Sequence, residues 1–391
     1  MNISSKLKTY KISKNMSLII KEVCTKSELK KFVRFGTELY RGNQYFCPPL
    51  EFDELNTLNR KKNPAFEVCE SIYYIAEKDG KIVGRIAGII NHRANEQWNV
   101  HKCRFGWFDF EDDLEVSAAL LNKVAEWGRS KKMNVLNGPV GFTDLDREGL
   151  LLEGYEYNSP MASLYNYPYY IKHFDNYGLA KESDWIEFRI HPPKEIPERL
   201  DRISKIVMEK YGLRVDKVRS AKELLKKYGY SFFNVVDEAY KPLYNYSPLT
   251  EKQKIYYSKM YFPLVNYDFT TIVVNEKNEI VGVGVGIPDL SDALRACQGK
   301  LFPFGWFKVL KALKSKKMED FDLLLIAVRP DYQNKGVNAI FFHDQIKYFV
   351  KYGVKRAETT SILETNAKNQ ANWEYFDKIQ HKRRRAYSKE I

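Results

Sequence analysis

The sequence lacks the features that define several large classes of protein. Its five cysteines are scattered, odd in number and form no C-x-x-C pair, so a disulfide framework is excluded. Its six histidines show no metal-ligand spacing, and no metal site is predicted. No apolar run reaches the length of about 18 residues that a transmembrane helix needs. These absences predict a protein of the reducing cytoplasm.

The N-terminus also lacks an apolar segment. Residues 1–15 are polar and rich in lysine, so we expect no secretory signal. Apolar material is plentiful elsewhere, because 44% of the 391 residues are hydrophobic and 14% are aromatic. This content excludes a disordered chain. The length predicts about two or three domains, with two favoured.

Positive charge is concentrated in the second half of the chain. The formal net charge is +13. Residues 1–190 carry 27 basic and 26 acidic side chains, whereas residues 191–391 carry 36 and 24. We therefore expect an anionic ligand to bind to the second half.

The apolar patterns predict the same order of elements in both halves: strand, helices, β-hairpin, strand, helix, strand and helix. The hairpins Tyr73–Ile90 and Thr271–Ile287 correspond best. We interpret this as a structural duplication, with domains at 1–190 and 191–391. The last predicted helix of the second half covers Gln370–Ile379.

The most informative segment joins a strand to a helix. The apolar strand Asp322–Val328 is followed by a turn that carries Gly336, and the helix Asn338–Tyr352 begins directly after it. Such a turn collects unpaired N–H groups at a helix N-terminus, where they can bind phosphate. An ordinary strand-to-helix loop is the alternative for this pattern.

The wider run Val328–Ala339 resembles the acetyl-CoA pyrophosphate loop of the GNAT acyltransferase superfamily. Gln333, Gly336 and Ala339 lie at or beside the motif, and Asn338 stands where that family has Gly or Ala. The resemblance implies an α/β (α+β) fold of two GNAT-like domains, each with a mixed, mostly antiparallel sheet flanked by helices. It also implies an acyl-CoA site formed by Ile326, Ala327, Val328, Gln333, Asn334, Lys335, Gly336, Val337, Asn338, Ala339, Asn369 and Phe376.

Two residues are candidates for catalysis by this resemblance. Asp322 occupies the position of a general base, and a solvated strand start is the alternative for it. Phe376 stands where the family has a tyrosine that protonates the leaving thiolate, so the neighbouring Tyr375 is the remaining phenol. The alternatives are that another acid serves in this role, or that catalysis is weak or absent.

The first half resembles a degenerate copy of the same fold. Tyr169–Leu179 is similar to the late helix and glycine turn of the family. The acids Glu111–Asp113 and Glu115 follow its strand, where they would repel a pyrophosphate. We therefore expect the first half to form a substrate wall or a packing partner. A shared pocket would be flanked by 137–139, 143–144 and 153–155.

Two further segments are ambiguous. The insert Pro288–Met318 combines apolar and lysine residues, which fits a lid, an interfacial membrane helix or an amphipathic core helix. The basic run Lys382–Arg385 fits an exposed final strand edge or, less well, a contact with nucleic acid.

The resemblance implies an N-acyltransferase. It would transfer an acyl group from acyl-CoA, commonly acetyl-CoA, or from an acidic acyl carrier protein to the amine of a small molecule or peptide. The amine would attack the thioester directly, without a metal. The alternatives are an inactive CoA-binding or scaffold protein and a polyanion-binding factor.

Overall fold

The structure is a computed structural model that describes residues 17–262, 265–374 and 376–391. Within these residues the strands are β1 Leu18–Glu22, β2 Cys69–Lys78, β3 Lys81–Asn91, β4 Lys102–Phe110, β5 Val135–Gly138, β6 Leu150–Glu153, β7 Ala180–His191, β8 Arg214–Val215, β9 Thr270–Val274, β10 Ile280–Pro288, β11 Asp320–Val328, β12 Arg356–Thr359, β13 Ile362–Leu363 and β14 Asp377–Glu390. The helices are α1 Lys26–Leu39, α2 Glu51–Thr57, α3 His92–Trp98, α4 Leu114–Ser130, α5 Tyr169–Tyr177, α6 Glu198–Tyr211, α7 Ala221–Tyr228, α8 Ser231–Tyr240, α9 Glu251–Tyr261, α10 Ser291–Cys297, α11 Gly305–Leu313, α12 Asn338–Tyr352 and α13 Ala367–Ala371.

The strands form one mixed sheet in the order β1-β2-β3-β4-β5-β14-β7-β12-β11-β10-β9-β8. The ladder is antiparallel except where β4 pairs with β5 and β11 pairs with β12. One parallel pair therefore lies in each half, after a β-hairpin. The predicted fold class is confirmed. The division into domains 1–190 and 191–391 stays a prediction.

Local signals in the sequence explain several of these elements. The tight turn between β2 and β3 has positive φ at Asp79 and Gly80, as a two-residue hairpin requires. Asp113 accepts hydrogen bonds from the first N–H groups of α4, which is the usual role of an N-cap aspartate. Gly178 ends α5 in the left-handed conformation. Each of these features was readable as a short pattern.

The C-terminal segment differs from its prediction. The predicted helix Gln370–Ile379 is wrong, because α13 ends at Ala371 and β14 begins at Asp377. The expectation of an exposed edge at 382–385 is also wrong, since β14 lies between β5 and β7 and Lys382 and Arg384 are buried. Their charges are matched by Glu358, 2.6 Å from Lys382 Nζ, and Glu187, 2.5 Å from Arg384 Nε. This basic run therefore stabilises the sheet.

Candidate active site

A gap opens in the sheet along β11. This strand pairs with β10 over nearly its whole length, but it pairs with β12 only from Asp320 to Leu323. From Leu324 to Val328 the side of β11 that faces away from β10 forms no strand ladder. Because N–H and C=O groups alternate along a strand, several are available there to a ligand. Ile326–Val328, which the resemblance assigns to the acyl-CoA site, lie along this gap.

The loop after β11 has the geometry of an anion site. Asn334 and Gly336 have φ values of 60° and 78°, and no side chain caps the N-terminus of α12. Among the described residues the N–H groups of Gly336, Val337 and Asn338 form no hydrogen bond. Unpaired donors at a helix N-terminus attract phosphate. The loop therefore fits the pyrophosphate of a CoA thioester.

Two side chains in this loop are already held in place. Asn338 Nδ2 donates to Asn372 Oδ1 at 2.8 Å, so the amide that departs from the family pattern is bonded toward α13. Gln333 Nε2 donates to the carbonyl of Val328 at 3.0 Å, which ties the loop to the end of β11. These two hydrogen bonds restrain the loop, which reduces the entropy cost of binding.

A cavity of about 1710 Å³ extends from this loop between the two halves, and most of its surface is apolar. The structure brings most of the predicted cofactor-binding residues to its wall, namely Ile326, Ala327, Val328, Gln333, Asn334, Gly336, Val337, Asn338, Ala339, Asn369 and Phe376. Lys335 is outside the lining, with its ammonium 4.9 Å from the Tyr332 ring centre. Tyr375 lies outside the described residues.

Asp322 does not reach the cavity. Its side chain is buried, and Oδ2 has no hydrogen-bond partner among the described residues. Burial raises the pKa of Asp322 well above its usual range, and the charges of Asp289 and Glu358 add to the effect. The alternative of a solvated strand start is therefore wrong, and the structure does not place this carboxyl beside the gap in the sheet.

Two carboxyl groups of the first half do line the cavity. Asp144 and Glu148 belong to the loop between β5 and β6, and they are enclosed by protein while their remaining accessible surface faces the cavity. Burial raises the pKa of both groups, and the negative charge of Asp144 raises that of Glu148 further. Two such neighbours titrate as a pair. The pair can therefore hold one proton near neutral pH.

Buried Arg104 positions this acidic loop against the second half. Its guanidinium donates to the carbonyl of Gly141 at 3.1 Å, and it donates to the carbonyl of Asn245 at the same distance. Asn245 lies in the connection between α8 and α9. Charge-assisted hydrogen bonds of this kind are stronger than neutral ones. Arg104 therefore joins the acidic loop to the helix that faces β11.

Tyr240, at the end of α8, reaches the gap in the sheet. Its hydroxyl donates to the carbonyl of Ile326 at 3.1 Å, and its side chain lines the cavity. Burial raises the pKa of Tyr240 to about 12, and the nearby charge of Asp144 contributes. The phenol is therefore protonated at neutral pH and close to the acid pair. The helix α8 was not predicted, although the run Phe232-Phe233 followed by Val235-Val236 is a helical apolar signal.

At the corresponding helix of the first half, α4, a carboxylate occupies the N-terminus. The carboxylate of Asp113 accepts hydrogen bonds from the N–H groups of Glu115 and Val116 at 2.9 and 3.4 Å. Lys78 Nζ lies 2.5 Å from the same carboxylate. The N-terminus of α4 is thus filled by a protein side chain, which agrees with the expectation that the acids there exclude a pyrophosphate.

One buried group has the residue types of a metal site. Glu187, Glu358 and His381 offer ligand atoms within 4.8 Å of one another. Lys382 and Arg384 are bonded to the two carboxylates, as described above for β14. A divalent cation would have to displace these charges, so the arrangement fits an ion-pair network better than a metal centre.

Comparisons with solved structures agree with this architecture. The chain is similar to a tandem GNAT protein from the clavulanic acid biosynthesis pathway, with a TM-score of 0.55 and 11% identity, covering 96% of this chain and 98% of that one. It is also similar to a GCN5-related N-acetyltransferase from Sphaerobacter thermophilus, with a TM-score of 0.50 and 12% identity, covering 95% of both chains. The chain has a tandem GNAT-like fold. No protein-family model matches the sequence.

Two curated proteins are similar over nearly their whole length. Protein YghO of Escherichia coli (strain K12) is 27% identical over 380 residues, which cover 95% of both chains. A bacterial ceramide synthase of Caulobacter vibrioides (strain NA1000 / CB15N) is 25% identical over 363 residues, which cover 90% of this chain and 92% of that protein. These similarities do not identify the activity or the substrate of this chain.

Proposed function

We propose that this protein is an N-acyltransferase that transfers a long acyl chain from a CoA thioester to the amine of a lipid-like acceptor. The observation that carries the proposal is the large apolar cavity, which has the uncapped loop of α12 at one side and the Asp144–Glu148 pair at another. The arrangement offers an anion site, an apolar volume and titratable groups around one space. These are the three requirements of the proposed reaction.

The size of the cavity favours long aliphatic substrates over acetyl groups. Pockets for small ligands usually measure about 300–1,000 Å³, and this one measures about 1710 Å³. Its walls include Phe341, Leu323 and Leu325 from the second half and Leu145 and Tyr40 from the first. The Caulobacter relative is named a ceramide synthase, and a ceramide is a fatty-acid amide of a long-chain amino alcohol.

Three sets of groups would bind the acyl donor and accept the proton: the N–H groups of the α12 loop, the backbone of β11 and the Asp144–Glu148 pair. The N–H groups of Gly336, Val337 and Asn338 would hold the pyrophosphate, and the free backbone groups of β11 would align the pantetheine arm. When bound, the thioester supplies an activated carbonyl. The ionised member of the Asp144–Glu148 pair would accept a proton from the attacking amine, since a base is most effective with a pKa near the working pH.

Tyr240 would donate the proton that the leaving sulfur needs. In the proposed step the C–N bond forms, the C–S bond breaks, and the nitrogen loses one proton to the carboxylate pair. The phenol of Tyr240 gives its proton to the sulfur, and the pair then returns a proton to the phenolate. The 3.1 Å hydrogen bond to the carbonyl of Ile326 supports this role, because it holds the phenol at the gap beside β11. Phe376 lacks such a proton.

Binding and turnover test the proposal together. Dodecanoyl-CoA and acetyl-CoA are titrated separately while the Tm of the protein is measured, and release of free CoA is then followed with a long-chain primary amine. Saturation at about 100 times Kd stabilises a protein by about 2.7 kcal/mol, and each buried methylene adds about 0.8 kcal/mol to binding. We expect a larger Tm shift with dodecanoyl-CoA and amine-dependent release of CoA.

Two glycine variants provide a matched comparison. Gly336→Trp should abolish the Tm shift, because φ is +78° there and a Cβ would lie 3.0 Å from Val207. Gly353→Trp introduces the same residue at φ +74° at the other end of α12, in open space, and should keep the shift. No shift with either thioester would contradict the proposal. A shift without turnover would favour a CoA-binding protein that has lost catalysis.

A further inference from the structure

The segment 300–317, which includes α11, exposes an unusual number of large apolar side chains. The exposed fractions are 82% for Phe302, 76% for Phe304, 47% for Trp306 and 59% for Phe307, and Leu310 is also exposed. Scattered exposed apolar residues are common on soluble proteins, whereas five within nine positions form a patch that needs an explanation.

The patch is held firmly in place by the opposite face of the helix. Gly305 and Val309 are buried, and Val309 packs in one apolar cluster with Ile287, Leu290 and Leu294. Trp306, Phe307 and Leu310 therefore stand on a fixed helix, and Phe302 and Phe304 lie just before its first residue. Their exposure follows from the fold, since the apolar residues of α11 exceed what its inner face can bury.

The same segment carries concentrated positive charge. Between Asp292 and Glu319 the chain has seven basic residues and no acid. In the part of the chain that the structure describes, none of the lysines from Lys300 to Lys317 forms an ion pair, whereas Glu319 is 2.6 Å from Lys355 and Asp320 is 2.5 Å from Arg356. The charge of the segment is therefore not neutralised by its neighbours.

We propose that segment 300–317 is a docking surface for an anionic lipid bilayer. Aromatic side chains beside lysines match the boundary between acyl chains and negatively charged headgroups. Trp is preferred at this boundary because its ring is apolar and its N–H polar. A second copy of the chain fits less well, since two such surfaces would bring their lysines together. Docking here needs no spanning helix, and no described helix is long and apolar enough to be one.

The surface adjoins the wall of the cavity. Leu301, Val309 and Leu313 of the segment line the cavity, while the exposed aromatic residues lie on its outer side. If the proposed function is correct, a lipid substrate could pass from the bilayer into the cavity along this segment. That consequence rests on the proposed function, whereas membrane docking itself does not.

Co-sedimentation with lipid vesicles tests the docking surface directly. Full-length protein is mixed, without any acyl donor, with vesicles of phosphatidylcholine alone or with added phosphatidylglycerol. We expect binding to the anionic vesicles that weakens as salt is raised. The double variant Lys311→Glu/Lys314→Glu should bind at least about tenfold more weakly. Phe304→Ser/Phe307→Ser should bind more weakly at every salt concentration.

Matched variants elsewhere on the surface serve as controls. Lys222→Glu/Lys226→Glu reverses two exposed lysines on α7, and Ile206→Ser removes a side chain on α6 that is 53% exposed. Both should bind vesicles as the unchanged protein does. The proposal is overturned if anionic vesicles are not bound, or if these controls weaken binding as much as the α11 variants. Concentration-dependent dimers that the α11 variants abolish, without vesicle binding, would assign the patch to a second copy.

Discussion

Replacing Asp144 by asparagine should make the protein more stable at alkaline pH while it removes activity. Burial is the main reason that the pKa of Asp144 rises to about 7, and the positive charge of Arg104 offsets only part of this effect. Oδ2 of Asp144 has no hydrogen-bond partner among the described residues. The ionised carboxylate is therefore costly in the folded protein, and an uncharged isostere removes that cost.

The sign of the effect follows from proton linkage. The unfolded chain releases this proton near pH 3.9, whereas the folded chain holds it until about pH 7, so the stability that Asp144 contributes falls as pH rises between these values. A difference of about 3 pKa units corresponds to at most about 4 kcal/mol. Water in the cavity and the proton shared with Glu148 reduce this figure, and we expect about 1–2 kcal/mol at pH 8.

Urea unfolding between pH 4.5 and 8, followed by fluorescence, measures the effect. The stability difference between Asp144→Asn and the unchanged protein should be smallest at pH 4.5, and the variant should gain relative stability as pH increases to about 7. Glu28→Gln is the control with little pH dependence in this range. Hydrogen bonds from the N–H groups of Cys24 and Thr25 lower the pKa of Glu28, so its carboxylate is ionised in both states above about pH 5. If the stability difference between Asp144→Asn and the unchanged protein does not change with pH, the reasoning is refuted. The physical basis for Asp144 as a base is then removed as well.

Two further substitutions test separate parts of the structure. Tyr240→Phe should lower kcat by about 100-fold or more with little change in the KM for acyl-CoA, as loss of a general acid predicts; an unchanged kcat would exclude the proposed proton donor. Lys382→Met should lower the free energy of unfolding by about 1.5–3 kcal/mol, because it removes the buried ammonium 2.6 Å from Glu358 and leaves Arg189 as the remaining cation on that carboxylate. Urea denaturation measures this loss, and a change below about 1 kcal/mol would contradict the role given to the β14 network.

The parts of the fold that sequence could predict are those with short-range signals. Asp113 at the start of α4 and Gly178 at the end of α5 are chemical markers of helix ends, and the structure has them in those roles. The strand β11, the loop with Gly336 and the helix α12 form one continuous run, so their order required no long-range information.

The parts that sequence did not predict depend on distant partners. β14 resembled an exposed basic edge, because Lys382 and Arg384 have no local acids and are matched by Glu358 and Glu187 only after folding. Likewise, Asp144 and Tyr240 are separated by almost a hundred positions in the chain. Arg104 bonds to the carbonyls of Gly141 and Asn245 and so links the two segments, and no spacing rule connects it to Asp144 or Tyr240.

The same contacts explain why neither half contains a complete site. The N-terminus of α4 is filled by Asp113, whereas that of α12 has no side-chain cap, so of these two helices only α12 presents free N–H groups to a phosphate. Conversely, the acid pair that includes Asp144 belongs to the first half, and Arg104 holds its loop against the segment that follows Tyr240. In the proposed reaction the second half binds the phosphate, and the first half supplies the proton acceptor. For the first half to bind the phosphate instead, the side chain of Asp113 would have to leave the N-terminus of α4. That change would remove both the helix cap and the 2.5 Å ion pair with Lys78.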